Sequence, residues 1–444
     1  MKINSDAGII KKTLSVCPVC LKRIDADIVR CGDEYFMDKR CDVHGAFSTV
    51  VWRGNNTDFK IWDQYTVPQE MHIPECPTGC GLCFGHRQKT CCALVEITHR
   101  CNLQCPICFA EASGRGATEP SLDELYKIFK NLVSGGNTFV QLSGGEPTVR
   151  DDLPDIIAAA KEAGCDTIQL NSNGIRLGAD PDFTKKLKKA GLSFVFMQFD
   201  GTDDAIYKKL RGAKLFDAKC AAIRVCGKNL LGITLVPTIV PRVNDFNIGS
   251  IIKFGLKHSP SVRGVHFQPI SYFGRYPNTP SNRDRITLPE ILCAIERQTK
   301  GDFAIHDFVS SACDHPRCGF HGDFAVLPEM QVMKLTQQRV SSCCDTPDAH
   351  IRNRNFVARR WKRPDETDEN TDMDMGIDMG IEMDYRDMNT FLNRVKTHGF
   401  TISAMAFQDA YNLDIERLRQ CSLHVAHDGK IVPFCAQYLT AAVL

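Results

Sequence analysis

The chain has 444 residues, with 54 Lys and Arg against 53 Asp and Glu and a formal net charge of +1, so it has neither a basic field for nucleic acid nor an acidic field for a cationic partner. Its length predicts two or three domains. No apolar run reaches the roughly 18 residues a bilayer span needs, and the opening residues lack the apolar stretch of a signal peptide, so a cytoplasmic protein without a membrane span is expected. The outlier is cysteine, at 22 residues. A reducing compartment disfavours disulfides, which points to metal binding. Cys165, Cys220, Cys226 and Cys293 stand alone and read as small apolar side chains. The others cluster at short spacings.

In chain order, residues 1–56 form the first unit. Cys17-Pro-Val-Cys20 and Cys41-Asp-Val-His44 are two short ligand pairs. Such pairs place four ligands around one zinc or iron, as in zinc ribbons and rubredoxin-like sites. Cys31 is an alternative to His44. Residues 57–92 carry Cys76-x3-Cys80-x2-Cys83 and then Cys91-Cys92, read as an auxiliary [4Fe–4S] cluster completed by Cys92, with Cys91 as the alternative. From residue 93 to 275 short apolar strands alternate with amphipathic helices. The strands are expected at 93–98, 138–142, 167–170, 194–199, 233–240 and 265–269. The first helix is capped by Ser121 and ended by Gly135-Gly136. This alternation predicts an α/β fold with a parallel sheet, a partial (βα)6 TIM-like barrel with its working loops at the strand C-termini. Over residues 276–444 the alternation fades. Residues 365–388 are acidic and repetitive and read as a solvated insertion. Cys313, Cys318, Cys421 and Cys435 are assigned to a second auxiliary cluster, with Cys343 and Cys344 as alternatives.

The central signal is Cys101-x3-Cys105-x2-Cys108, directly after the first barrel strand. Cubane clusters usually take four cysteines, so a loop with three leaves one iron open. The second strand ends in Gly144-Gly145-Glu146-Pro147. Together these motifs resemble the radical S-adenosylmethionine (SAM) superfamily over roughly residues 93–275. The resemblance implies SAM on the open iron and a 5′-deoxyadenosyl radical that abstracts hydrogen, chemistry that side chains cannot supply. It also implies that Gly144, Gly145 and Glu146 meet the SAM amino group and that Phe109 packs by the adenine. Ser172 and Asn173 would meet the ribose and carboxylate. Asp200 and Arg211 would contact SAM or substrate. Read without the resemblance, these last four are equally a polar turn, a helix cap and a salt bridge.

The order of motifs resembles one group within that superfamily over nearly the full length: the archaeal tetraether lipid synthases, formerly named as dihydropterin methyltransferases, and their bacterial relatives. The acidic insertion and the surroundings of Cys313 depart from that pattern. This resemblance implies carbon–carbon bond formation on lipid chains, with a reductant such as ferredoxin or flavodoxin and peripheral membrane contact through an apolar rim. The alternatives are one-carbon or methyl transfer to a pterin-like ring and peptide maturation. A non-catalytic electron-transfer protein is least supported, because the open-site loop and its GGEP partner are both present. A lipid substrate requires a long apolar channel at the barrel mouth, walled by the strand C-termini and the segment after Arg275. A small polar pocket would favour the pterin.

Overall fold

The computed structural model describes residues 8–54, 76–77, 81–83, 85–112, 119–311, 313–336, 349–363, 385–427 and 429–441. Four antiparallel strands come first: β1 (Gly8–Val16), β2 (Arg23–Cys31), β3 (Glu34–Cys41) and β4 (Gly45–Arg53), paired in chain order. Ile28, Tyr35, Met37 and Trp52 are buried and join the core of the larger unit. The turns after β1 and β3 lie at one end of this small sheet and carry Cys17, Cys20, Cys41 and His44. Cys31 ends β2 beside the opposite turn and is exposed. The alternative that placed Cys31 at the metal therefore fails, because the length of two strands separates it from the other ligands.

The barrel strands are β5 (Cys92–Thr98), β6 (Phe139–Gly144), β7 (Thr167–Ser172), β8 (Phe194–Gln198), β9 (Gly232–Val236), β10 (Thr238–Ile239) and β11 (Val262–Pro269). Pro237 has no N–H to give to a ladder and separates β9 from β10, where the sequence suggests one long strand. Strand alternation sorts the side chains. Val140, Leu142, Ile168, Leu170, Val195 and Met197 pack outward against helices such as Leu122–Ser134 and Leu153–Ala163. Gln141, Ser143, Gln169, Asn171, Phe196 and Gln198 point inward. Ser121 caps the first helix in a complete capping box with Glu124, and Gly135 ends it, as the sequence predicts.

The C-terminal region contributes β12 (Val309–Ser310), β13 (Gly319–Val326), β14 (Val332–Lys334), β15 (Gly399–Met405), β16 (Leu423–His427) and β17 (Lys430–Pro433). β15 lies parallel to β11, and β16 lies parallel to β5. Among the described residues the order β16-β5-β6-β7-β8-β9-β11-β15 is thus an all-parallel run, extended by antiparallel β13 at one edge and β17 at the other. The partial barrel is present, and late chain segments widen it on both edges. Most of the acidic insertion, residues 365–384, lies outside the described residues, and its last part opens the helix Tyr385–Thr397.

Candidate active site

At the tip of the small sheet, the ligand atoms of Cys17, Cys20, Cys41 and His44 all lie within 4.8 Å of one another. The sulfurs of Cys17 and Cys41 are each 3.5 Å from His44 Nδ1. Four nitrogen and sulfur donors converging this closely suit one tetrahedral ion. Backbone N–H groups of His44 and Val43, with the His44 ring, lower the Cys41 thiol to about 6, which favours the thiolate a metal needs. A Cys20→Ser/Cys41→Ser variant should therefore lose one equivalent of zinc or mononuclear iron while keeping its iron–sulfur absorbance. Unchanged metal content by elemental analysis would refute this site.

The loop after β5 carries Cys101, Cys105 and Cys108. All three border one cavity of about 350 Å³, together with Gly144, Gly145, Glu146, Ser172, Asn173 and Arg211. Burial pushes the Cys101 thiol up to about 11, and Glu146, Cys105 and Cys108 add negative charge beside it. Three sulfurs gathered in a low-dielectric spot repel one another as thiolates, and bound iron supplies the missing positive charge. The donor set therefore fits a cluster. The loop's backbone is fixed by Arg275, which exchanges hydrogen bonds with Cys108 (N to Arg275 O 2.9 Å, and Arg275 N to Cys108 O 3.0 Å). Its side chain donates to Cys105 O at 3.1 Å. In sequence Arg275 is only the end of a stretch following β11, and nothing local marks it as the latch of a loop 170 residues away.

The two glycines border the cavity and also have a packing role. A Cβ at Gly144 (φ +117) would overlap the carbonyl of Thr98, and one at Gly145 would overlap that of Arg100. Gly145 N donates to Thr98 O at 2.8 Å and Glu146 N to Arg100 O at 2.9 Å. The close approach is therefore between two protein backbones, and it zips the GGE turn to the root of the cysteine loop. Glu146 is 2% exposed. Its carboxylate accepts from Thr148 N and Oγ1, from Ser172 Oγ at 2.7 Å and from Asn173 N at 2.6 Å. Asn173 in turn donates to Asn102 on the cysteine loop at 2.7 Å. The ends of β5, β6 and β7 thus form one hydrogen-bonded frame.

Asp200 does not border the cavity, whereas Arg211 does. Asp200 is fully buried and accepts both Arg211 Nε (2.6 Å) and Nη2 (2.8 Å), as well as Gln198 Nε2 and Thr238 N, so it acts on the cavity through these lining residues. Lys219, unremarkable in sequence, is fully buried, donates to Gln198 Oε1 at 2.8 Å and to Asn173 O, and is lowered by burial to about 7. Phe109 packs edge-on against Tyr438 at 5.0 Å, and Tyr438 donates to Glu96 at 2.8 Å. The C-terminal segment thereby covers the mouth beside the cysteine loop. Deeper in the barrel the cavity is lined by Gln141, Gln169, Asn171, Gln198, His266 and Gln268, with Phe139, Phe196 and Trp361 beneath them.

Cys318, Cys421 and Cys435 gather near Arg417, which donates to Cys318 Sγ at 3.4 Å. Burial raises all three thiols, and Asp314, the neighbour of Cys313, adds to the effect. Cys313 is buried. Cys76 shares an apolar cluster with Cys435. Cys92 points into the barrel, 3.7 Å from Gln141 Oε1, with Cys91 beside it. Cys83 is half-buried. Cys80, Cys343 and Cys344 lie outside the described residues.

Residues 95–255 match the model of the radical SAM superfamily, and residues 9–53 match that of the HMPTM N-terminal zinc ribbon domain. A protein of Methanocaldococcus jannaschii named 7,8-dihydro-6-hydroxymethylpterin dimethyltransferase is 32% identical, over 96% of this chain and 92% of its own length. An Fe-coproporphyrin III synthase of Methanosarcina barkeri is 34% identical over 40% of this chain and 44% of its own length. Among solved structures, methylornithine synthase aligns at 18% identity with a TM-score of 0.38, covering 49% of this chain and 64% of that one. The chain belongs to the radical SAM superfamily, in the family of the M. jannaschii relative that it matches almost end to end.

Proposed function

We propose that this enzyme transfers a one-carbon or methyl group to a small, flat, polar substrate, a pterin-like ring held deep in the barrel. In this superfamily the [4Fe–4S] cluster and SAM together supply a 5′-deoxyadenosyl radical for hydrogen abstraction. The observation that carries the substrate reading is the inner lining of side-chain amides and one imidazole, Gln141, Gln169, Asn171, Gln198, Gln268 and His266. Gln169, Asn171 and Gln198 are already paired with protein groups, but a long methylene chain would leave the Gln268 amide, Gln141 Nε2 and His266 Nε2 desolvated without a partner, which is unfavourable.

Lipid coupling is the second reading, and one observation favours it. Part of the cavity wall is apolar, with Ile107, Phe109, Ile270, Phe273, Phe407 and Phe434, as the wall of a site for a methylene chain would be. The readings separate in one anaerobic assay of the reconstituted protein with SAM and a ferredoxin or flavodoxin reductant. The substrates are 6-hydroxymethyl-7,8-dihydropterin in one vessel and an isoprenoid lipid extract in the other. The expected result by mass spectrometry is a pterin heavier by one or two methyl groups and unaltered lipid. Joined lipid chains with an untouched pterin would reverse the order.

A further inference from the structure

We propose that His266, with Gln268 and Gln141, is the recognition edge of the substrate cavity, hydrogen-bonding the lactam-type edge of a fused heterocycle. This rests on the small-heterocycle reading above and assigns the residues that would select such a ring. His266 and Gln268 stand two apart on β11 and therefore face the same side. Both border the cavity, as does Gln141 across the barrel on β6. His266 is 8% exposed, and its Nδ1 lies 2.9 Å from the hydroxyl of Ser403, its register partner on β15. Among the described residues no partner contacts His266 Nε2, the Gln268 amide or Gln141 Nε2, yet none of these is a buried orphan. They front open space inside the barrel. Polar atoms this deep are normally paired, so a bound molecule is the natural source of their partners.

The shape of the site adds a second constraint. The Phe196 ring lies 5.4 Å from the His266 ring and 4.7 Å from Trp361. These are flat walls suited to a flat ligand. The residues expected to meet SAM cluster at the C-terminal ends of β6 and β7, whereas His266 sits further down its strand, below Gln268 and Pro269. Burial lowers the imidazole to about 4, so at neutral pH it is uncharged and Nε2 is a donor in one tautomer and an acceptor in the other. The Ser403 hydroxyl can complement either. These three side chains are thus matched to a neutral ring edge that mixes C=O and N–H groups, and none of them carries a charge for a carboxylate or phosphate.

The test uses the full chain, reconstituted anaerobically, as wild type, His266→Phe, His266→Gln and Gln268→Leu. Iron content and SAM binding report the fold. The probes are 6-hydroxymethyl-7,8-dihydropterin, guanosine and lumazine, measured by equilibrium dialysis. His266→Phe and Gln268→Leu should each weaken binding about tenfold, and His266→Gln should recover most of it, the size expected when one buried hydrogen bond is lost. Variants that bind like wild type would overturn the inference and leave the pterin reading standing. Wild-type binding of guanosine or lumazine but not the dihydropterin, weakened in His266→Phe, would overturn the pterin reading and support the recognition edge. A wild-type protein that binds none of the three overturns both.

Discussion

Replacing any one of Cys101, Cys105 or Cys108 by alanine should abolish 5′-deoxyadenosine formation from SAM and dithionite. The three thiols border one cavity. Losing one leaves two irons without protein ligands, since one iron must stay open for SAM. Rescue by a neighbouring thiol is excluded by the way the loop is held. Arg275 pins the carbonyls of Cys105 and Cys108, and Asn102 is tied to Asn173, so the loop cannot slide to offer another residue. Cys92 borders the same cavity but stands at the start of β5, far down the barrel from the loop that follows it. Serine in place of each cysteine should behave like alanine, because a hydroxyl at neutral pH is a poor ligand for iron. Full deoxyadenosine yield in any of the three variants, measured by chromatography after anaerobic reconstitution, would remove the central assignment.

The parts of this molecule that are local in sequence were legible in it. The cysteine loop, the GGEP turn, the Cys17/Cys20/Cys41/His44 group and the strand–helix alternation of residues 93–275 each need only a short window, and each is where the sequence predicts it. Features that depend on distant pairing were not legible. β15 and β16 extend the parallel sheet from beyond residue 398, but neither is embedded in a repeating βα pattern, so nothing in periodicity marks them. Ser403 reaches His266 only because β15 docks beside β11. For Gly144 and Gly145 the motif gives no sign of a packing constraint. Their hydrogen atoms make room for Thr98 and Arg100, a packing fact that no motif states. Lys219 lies on a helix whose sequence reads as ordinary, yet its ammonium is wholly enclosed beneath the Asn173 and Gln198 that line the cavity.

The Asp200–Arg211 pair should give the largest stability effect of any non-cysteine change in the site. Asp200 has 0% side-chain exposure and Arg211 13%, and the two are joined through two guanidinium nitrogens, Nε and Nη2. Burial pulls the Arg211 guanidinium down, and the charge of Asp200 outweighs it, leaving Arg211 above its usual value. Breaking a buried pair from one side strands the other charge, which costs about 3–5 kcal/mol, whereas removing both charges together is often far milder. Asp200→Ala should therefore unfold at much lower urea than wild type, and Asp200→Ala/Arg211→Ala should recover part of the loss. Asp200→Asn should fall between, since its amide can still accept from Arg211 and from Thr238 N but carries no charge. This ordering separates two roles for Asp200. If it touches SAM directly, the alanine variant would lose SAM affinity without losing stability, and the double variant would be no more stable than the single. If it acts by holding Arg211 at the cavity wall, stability and SAM affinity fall together in Asp200→Ala, and only stability returns in the double variant, because the guanidinium that faces the cavity is then gone.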